Sequence, residues 1–310
     1  MDPHEILADL KRQQVEIITE ERFSKLVSEV PHPRTYIGFE PSGVLHIGHF
    51  SSSIPVFKLA KHGFHSIILL ADLHALVNDK GEIDEIRSMA KYDQDLFEKL
   101  ARKMGVGGKL EYKLGTEFED QSYFVQMLRF AKYVNFTEAE KSMDEISKST
   151  MTRMTASVIY PIMQALDIGV MGVRVAVGGS AQRKVHVLAI ENLKKLGYPT
   201  PVAIHSGAII GTDGKKLMSK TAGNTINLDE TQETLEAKIK KTFCAPGDIE
   251  VNPILSWYKT LILPLVDTPL TFGTVAINDY KSLESAWAKK EISPQDFKKS
   301  AVRDLSNLLL

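Results

Sequence analysis

Five short apolar runs recur along the first two thirds of the chain: Tyr36–Phe39, Ser66–Ala71, Leu110–Leu114, Val173–Val177 and Val202–His205. A strand wetted on one face alternates apolar and polar residues. These runs are apolar enough to be covered on both faces, as in a parallel sheet. Segments of helical periodicity lie between and around them, at about 46–62, 83–104, 121–132, 155–171 and 181–196. Strands alternating with helices require right-handed crossovers and predict a Rossmann-like, doubly wound α/β domain. Its ligand should sit at the carboxyl ends of the strands. The polar stretch from 133 reads as part of an insertion covering about 115–154. After Asn227 the pattern changes. Segments at about 229–243, 252–262, 280–290 and 294–309 read as helices without intervening strands. Pro246, Pro253, Pro264, Pro269 and Pro294 punctuate them. The expected division is a catalytic domain, 1–228, followed by a small all-helical domain, 229–310.

Composition narrows the function classes. The 310 residues are 43% hydrophobic and 25% charged with a net charge of −1, so any nucleic-acid contact must be a local basic patch rather than a global field. The single cysteine, Cys244, excludes an internal disulfide and a cysteine-based zinc cluster, and fits a reducing cytosol. Met1–Arg12 is charged and shows no signal-peptide core. The apolar stretch Val158–Val177 is broken by Pro161, Gln164, Asp167 and Arg174 and makes a poor membrane span. A soluble, cytoplasmic protein with no membrane partner is expected.

Chemistry concentrates in three places. The first is Pro41-Ser-Gly-Val-Leu-His46-Ile-Gly48-His49, which follows the first apolar run and opens a helix. A shuffled chain of this composition would hold His-any-Gly-His about 0.02 times. A helix N-terminus offers backbone N–H groups and the positive end of its dipole to phosphate. Gly48 lets a ligand approach the backbone, and His46 and His49 share one face as donors. A zinc pair also uses histidines at this spacing. The second place is Val158–Met171, whose polar residues Tyr160, Gln164 and Asp167 form one helical stripe. That stripe either faces water or, on a buried helix, lines a ligand pocket. The Gly178-Gly179-Ser-Ala-Gln182-Arg183 turn follows it. The third is the basic loop Gly211–Asn224, with Lys215, Lys216, Met218, Ser219 and Lys220. It reads as a solvated hinge or as a mobile clamp on a leaving pyrophosphate.

Together and in this order, the three resemble a class I aminoacyl-tRNA synthetase. His46–His49 resembles the HIGH motif and Leu217–Thr221 the KMSKS loop. Tyr160/Gln164/Asp167 with Gly178–Gln182 is similar to the amino-acid pocket of tyrosyl-tRNA synthetases. Tyr36-Ile-Gly-Phe-Glu-Pro-Ser-Gly and Leu70-Ala-Asp72-Leu-His74 resemble the compact archaeal and eukaryotic type, and the likeness covers nearly the whole chain. The resemblance implies activation of L-tyrosine by ATP with Mg²⁺ and transfer to tRNA(Tyr), with no tightly bound cofactor and no protein-held metal. Tyr36 and Asp167 would bracket the substrate phenol; Tyr160, Gln164 and Gln182 would hold its ammonium and carboxylate. His46, His49 and Lys220 would stabilise the transferring phosphate, while Gly38, Gly48, Gly178, Gly179, Met218 and Ser219 would line the ATP site. Lys141 and Arg183 match positions that read the acceptor stem, and Phe272 and Asp296 match an anticodon reader; core packing and helix N-terminal charge explain the latter two equally well. A homodimer is implied. Three positions depart from the pattern: Leu217 stands at the first KMSKS lysine, Ala181 at an acidic ribose contact, and Ser293 at a histidine near the anticodon. They motivate a second reading, a synthetase-like paralogue that binds tyrosine or tRNA without efficient aminoacylation.

Overall fold

The computed structural model describes residues 1–143, 154–266 and 269–310. Six strands form the main sheet: β1 (Glu16–Ile18), β2 (Arg34–Phe39), β3 (His65–Leu70), β4 (Leu110–Leu114), β5 (Val175–Gly179) and β6 (Val202–Ser206). Their spatial order is β1-β6-β5-β2-β3-β4. β2 runs parallel to β3 and β5, and β3 parallel to β4, while β1 pairs antiparallel with β6. The order turns at β2 and β5, so the carboxyl ends of those two strands form the switch point where such sheets bind ligands. The doubly wound α/β expectation is met, and each of the five expected strands is present.

Thirteen helices were found among the described residues: α1 (Pro3–Lys11), α2 (Glu20–Glu29), α3 (Ile47–Lys61), α4 (Asp72–Val77), α5 (Ile83–Lys103), α6 (Gln121–Ala131), α7 (Phe136–Ser142), α8 (Ala156–Val170), α9 (Arg183–Asn192), α10 (Gln232–Lys241), α11 (Pro253–Trp257), α12 (Tyr280–Ala288) and α13 (Pro294–Leu309). Local chemistry sets their ends. A Glu82/Glu85 capping box opens α5, and Arg102 and Lys103 close it against the dipole. Ser293 accepts the Asp296 N–H to start α13, with Pro294 at its first turn. Residues 133–143 are less irregular than expected, because Asn135 caps α7 and Ala139 and Met143 are buried. The remainder of that polar stretch up to 153 lies outside the described residues.

The chain divides into two compact units. One comprises Met1–Asp9, Val15–Gly43 and Pro55–His205; the other comprises Leu10–Gln14, Val44–Ile54 and Ser206–Leu310. The expected boundary at 228/229 is therefore corrected. Residues 44–54 join the carboxyl-terminal unit because Ile47 N–H donates to Ile226 O at 2.9 Å and Leu228 N–H to Leu45 O at 2.9 Å. The buried Gln13 amide donates to Ser51 O (2.6 Å) and Thr260 O (2.8 Å), which ties 10–14 to the same unit. Nor is that unit all-helical. β7 (Leu270–Phe272) and β8 (Val275–Ile277) form a hairpin whose turn uses Gly273 at φ 62°. Its core stacks Tyr258, Phe272, Trp287 and Phe297 with ring centroids 4.6–5.6 Å apart.

In the amino-terminal unit, Tyr36, Leu69, Ala71, Tyr123, Leu166, Ala176 and Val185 belong to one buried cluster. That cluster seats α8 against the sheet. Burying side chains of this size contributes about 1.5–3 kcal/mol each, so the helix stripe that carries the polar residues is anchored by the apolar faces around it.

Candidate active site

The carboxyl-terminal unit carries the His46–His49 group. His49 Nδ1 accepts the His46 backbone N–H at 3.0 Å, and His46 Nδ1 accepts the Gly48 N–H at 3.1 Å. Each ring spends Nδ1 on the backbone, which fixes its neutral tautomer with the proton on Nε2. Burial, and secondly the Lys220 ammonium, lowers the His46 pKa to about 4. Burial, His46 and Lys220 push His49 well below its ordinary value. At neutral pH the pair is therefore a set of N–H donors rather than cations, and the positive charge of the group comes from Lys220.

Gly48 is required by this arrangement. A Cβ there would lie 2.8 Å from His46 Cε1 and 2.9 Å from its Nδ1. Gly48→Ala is expected to push the His46 ring aside and slow any reaction that the ring serves roughly 10-fold or more, while thermal stability changes little. Enzyme kinetics beside a thermal melt check this; an unchanged rate would remove the ring from the chemistry.

The basic loop is ordered by Asn224. Its Oδ1 accepts the Ser219 N–H at 2.9 Å, and its Nδ2 donates to Asp213 Oδ1 at 3.1 Å and to Leu217 O at 3.4 Å. A bridge pairs Ile210 with Leu217, and Met218 N–H donates to Ile209 O at 2.8 Å. Ser219 caps the 3₁₀ turn that begins at Lys220. Met218 is buried, whereas Lys215, Lys216 and Leu217 are exposed.

The amino-terminal unit carries the second group. Tyr160, Gln164 and Asp167 project from α8, with Tyr160 6% and Asp167 0% exposed. Of the two readings of that stripe, the buried one holds. Gln164 Oε1, Asp167 Oδ2 and Gln182 Oε1 are buried without a hydrogen-bond partner, and the buried Tyr36 O–H has no acceptor, the Gln164 amide lying within reach of its oxygen. Leaving such atoms unpaired costs about 1–3 kcal/mol each, so the cluster is built for something it does not itself contain. Burial, and secondly Asp167, raises the Tyr36 phenol and keeps it a donor. Asp167 Oδ1 accepts the Tyr123 hydroxyl at 2.6 Å. The Tyr160 hydroxyl donates to Glu40, whose carboxylate also accepts the Asn78 amide at 3.0 Å.

The glycines differ in what demands them. A Cβ on Gly178 would meet Gln182 Cβ at 3.0 Å and His186 Cε1 at 3.1 Å, so the packing of the turn requires it; Gly179 follows at the end of β5. At exposed Gly38 a Cβ would make only ordinary contacts, 3.7 Å from Leu69 and Tyr36. The fold would accept alanine there.

Lys141 and Arg183 are both exposed, on α7 and at the start of α9. Lys184 Nζ donates to Lys141 O at 3.3 Å, which brings those helices together, and Arg183 forks onto Glu16 at 3.0 and 3.1 Å. Phe272 is corrected. It is 1% exposed, its ring packed between Tyr258 and Phe297, and presents no face on which a base could stack. Asp296 accepts the Ser293 hydroxyl at 2.7 Å and also lines a cavity of about 360 Å³ with Thr271, Gly273, Lys299, Ser300 and Arg303. Sequence reading did not single out Tyr123, Glu119 or Asn224 for the site. Glu119 and Tyr123 carry no local signal, because each acts through a partner distant in sequence; Asn224 acts within its own loop, where no periodicity marks it.

The geometry can be set beside known proteins. The family model of class I tRNA synthetases (W and Y) matches residues 29–310. The chain belongs to that family. Every expected site residue lies inside the matched span, and family membership makes the protein an aminoacyl-tRNA ligase. The chain is 40% identical over 313 residues to the tyrosine–tRNA ligase of Methanocaldococcus jannaschii, covering 100% of this chain and 98% of that protein. It is 38% identical over 307 residues to the Methanosarcina mazei enzyme of the same name, covering 97% and 96%. The crystal structure of tyrosyl-tRNA synthetase from Archaeoglobus fulgidus, complexed with L-tyrosine, superposes with a TM-score of 0.92 at 37% identity, covering 99% of this chain and 98% of that one.

Proposed function

We propose that the protein is a tyrosine–tRNA ligase: it activates L-tyrosine with ATP and transfers the tyrosyl group to tRNA(Tyr). One observation carries the choice of tyrosine. A hydroxyl donor, Tyr36, has no acceptor, a carboxylate acceptor, Asp167, has no donor at Oδ2, and the two are buried near enough for Asp167 to raise the Tyr36 phenol. A phenolic O–H satisfies both, whereas a phenyl ring satisfies neither.

The chemistry then follows from the residues. Gln164 and Gln182 present carbonyl oxygens to the substrate ammonium. The substrate carboxylate attacks the ATP α-phosphate in line, forming the acyl–phosphate bond and releasing pyrophosphate. A terminal ribose hydroxyl of the tRNA then attacks the acyl carbon and releases AMP. No side-chain nucleophile is needed; catalysis is positioning plus donors aimed at developing charge. His46 and His49 supply neutral N–H donors and Lys220 a cation. Those three offer no carboxylate, which fits a Mg²⁺ ion held chiefly by the nucleotide's phosphates. Lys141 and Arg183 would meet the acceptor stem. Asp296, beside its cavity, would accept base N–H donors from the anticodon.

A homodimer is part of this reading. α6 exposes Phe124 (54%), Val125 (51%) and Leu128 (55%), and Phe136 of α7 is 66% exposed. Unpaired apolar side chains in such numbers mark an interaction surface, and in an isologous pair the same face meets itself. Leu128→Glu is expected to convert the protein to monomer in sedimentation velocity without loss of helix content; an unchanged dimer would place the interface elsewhere. Among the described residues no helix is long and apolar enough to cross a membrane, and the cytoplasm is the proposed site of action.

The decisive assay is ATP–pyrophosphate exchange with tyrosine, phenylalanine and tryptophan, followed by tRNA charging. Exchange with tyrosine alone and charged tRNA support the ligase. Tyrosine binding without exchange would favour the paralogue, with exposed Leu217 and half-buried Ala181 the first positions to restore.

A further inference from the structure

Behind Asp167 lies a second ionisable cluster that the reaction above does not use. His74 Nε2 is 3.4 Å from Asp167 Oδ2, and His74 Nδ1 is 3.8 Å from Glu119 Oε1. One atom from each of the three groups lies within 4.8 Å of the others. The side chains of His74 and Glu119 are each 2% exposed. Both His74 nitrogens, both Glu119 oxygens and Asp167 Oδ2 lack a hydrogen-bond partner. Gly115 closes over Glu119, since a Cβ there would fall 2.4 Å from Oε1.

Two buried carboxyls this close to one imidazole cannot both be ionised without heavy mutual repulsion. The neighbours decide which one keeps the proton. Burial, and secondly Glu119, pushes the Asp167 carboxyl well up, while Tyr123 donates to it and favours its charge, as the Tyr36 hydroxyl would from β2. Glu119 instead faces Asp72 of α4, a carboxylate held by Thr116 N–H (3.1 Å) and hydroxyl (2.7 Å) and 3.7 Å from Arg87 of α5. Tyr160 of α8 packs edge-on against His74 at 4.9 Å. We propose that Glu119 is a positioning residue of the phenol pocket, a second buried carboxyl that shares one proton with Asp167 across His74 and holds the pair at a single negative charge while the substrate ring excludes water. The inference rests on tyrosine being the substrate. Burial, and secondly Asp72, pushes the Glu119 carboxyl up to about 8, and burial lowers His74 to about 4, so the imidazole does not neutralise the acids.

The consequence is a pH dependence with a defined sign. Below about 8 Glu119 is neutral, and an entering ring desolvates one charge; above it, the ring must desolvate two, and binding weakens. If only the protonated form binds, KM for tyrosine rises about tenfold from pH 7 to pH 9. Glu119→Gln keeps the shape and removes the ionisation. Its KM should lack that rise, leaving only the substrate's own titrations, which both enzymes share. Parallel KM–pH profiles for the two enzymes would overturn the proposal. The wild-type protein alone gives a second readout: calorimetry of tyrosine binding in two buffers of different ionisation enthalpy should show proton uptake above pH 8. Zero uptake there overturns the proposal even if the variant fails to fold. Absence of tyrosine binding at every pH would instead overturn the proposed function itself.

Discussion

Lys220→Ala is expected to slow tyrosine-dependent ATP–pyrophosphate exchange by roughly 10²–10³-fold, the usual loss when one preorganised group facing a developing charge is removed. His46 and His49 are neutral, so the ammonium is the cationic member of the trio proposed to face the phosphate. Its field is felt by both imidazoles, and it lowers the pKa of each. Removing it raises those pKa values, but burial, the larger cause, still keeps both rings neutral at pH 7. Histidine protonation therefore cannot compensate at the assay pH. The Ser219 cap and the Asn224 bonds to Ser219 N–H and Leu217 O use other atoms of the loop, so the variant should fold. Lys216→Ala is the matched control: exposed, with Leu217 beside it at the first lysine position, it should cost far less. Lys216→Ala failing as badly as Lys220→Ala would mean that the loop shifts register to bring Lys216 onto the pyrophosphate. A full rate in Lys220→Ala would remove the loop from the mechanism.

The α/β core was legible because its strands are continuous apolar runs and its helices keep a 3.6-residue period. α8 shows the limit of that reading. Periodicity placed Tyr160, Gln164 and Asp167 on one stripe but left its environment open. Only the packing of Leu166, Tyr123 and Tyr36 around it shows that the stripe is buried. The misses are of two physical kinds. β1, β7 and β8 have three residues each, too few for any period to register, and they exist because a partner strand is already in place. Glu119, Tyr123 and Asn224 owe their roles to partners 45, 44 and 5 residues away; no window over the sequence relates the first two to α4 or α8. The domain boundary failed for a related reason. Leu45 and Leu228 share a hydrogen bond although 183 residues separate them, so the His46 segment follows the loop of Lys220 into one unit. Phe272 shows the opposite error: a spacing that matched an RNA-reading position lies in a four-ring core.

The amino-acid pocket carries the other large expected effect. Asp167→Asn should lower kcat/KM for tyrosine roughly 10- to 100-fold, while activity toward phenylalanine stays as it was or rises. A carboxylate accepts at both oxygens: Oδ1 takes the Tyr123 hydroxyl at 2.6 Å, and Oδ2 has no donor, with His74 Nε2 3.4 Å away. An amide accepts at one end and donates at the other. If its oxygen stays on Tyr123, the substrate phenol meets an N–H where it needs an acceptor. If it flips, Tyr123 loses its partner, and the pocket wall loosens. Either way a hydrogen bond to a charged group is lost, about 1.5–3 kcal/mol. Phenylalanine makes no such bond in either protein and has nothing to lose. Tyr36→Phe removes a neutral partner and should cost less, about 0.5–1.5 kcal/mol. The ratio of tyrosine to phenylalanine exchange is the quantity to measure, because a general loosening of α8 would depress both substrates together. A tyrosine rate unchanged in Asp167→Asn would mean that the phenol is read elsewhere, and the tyrosine assignment would lose the observation on which it stands.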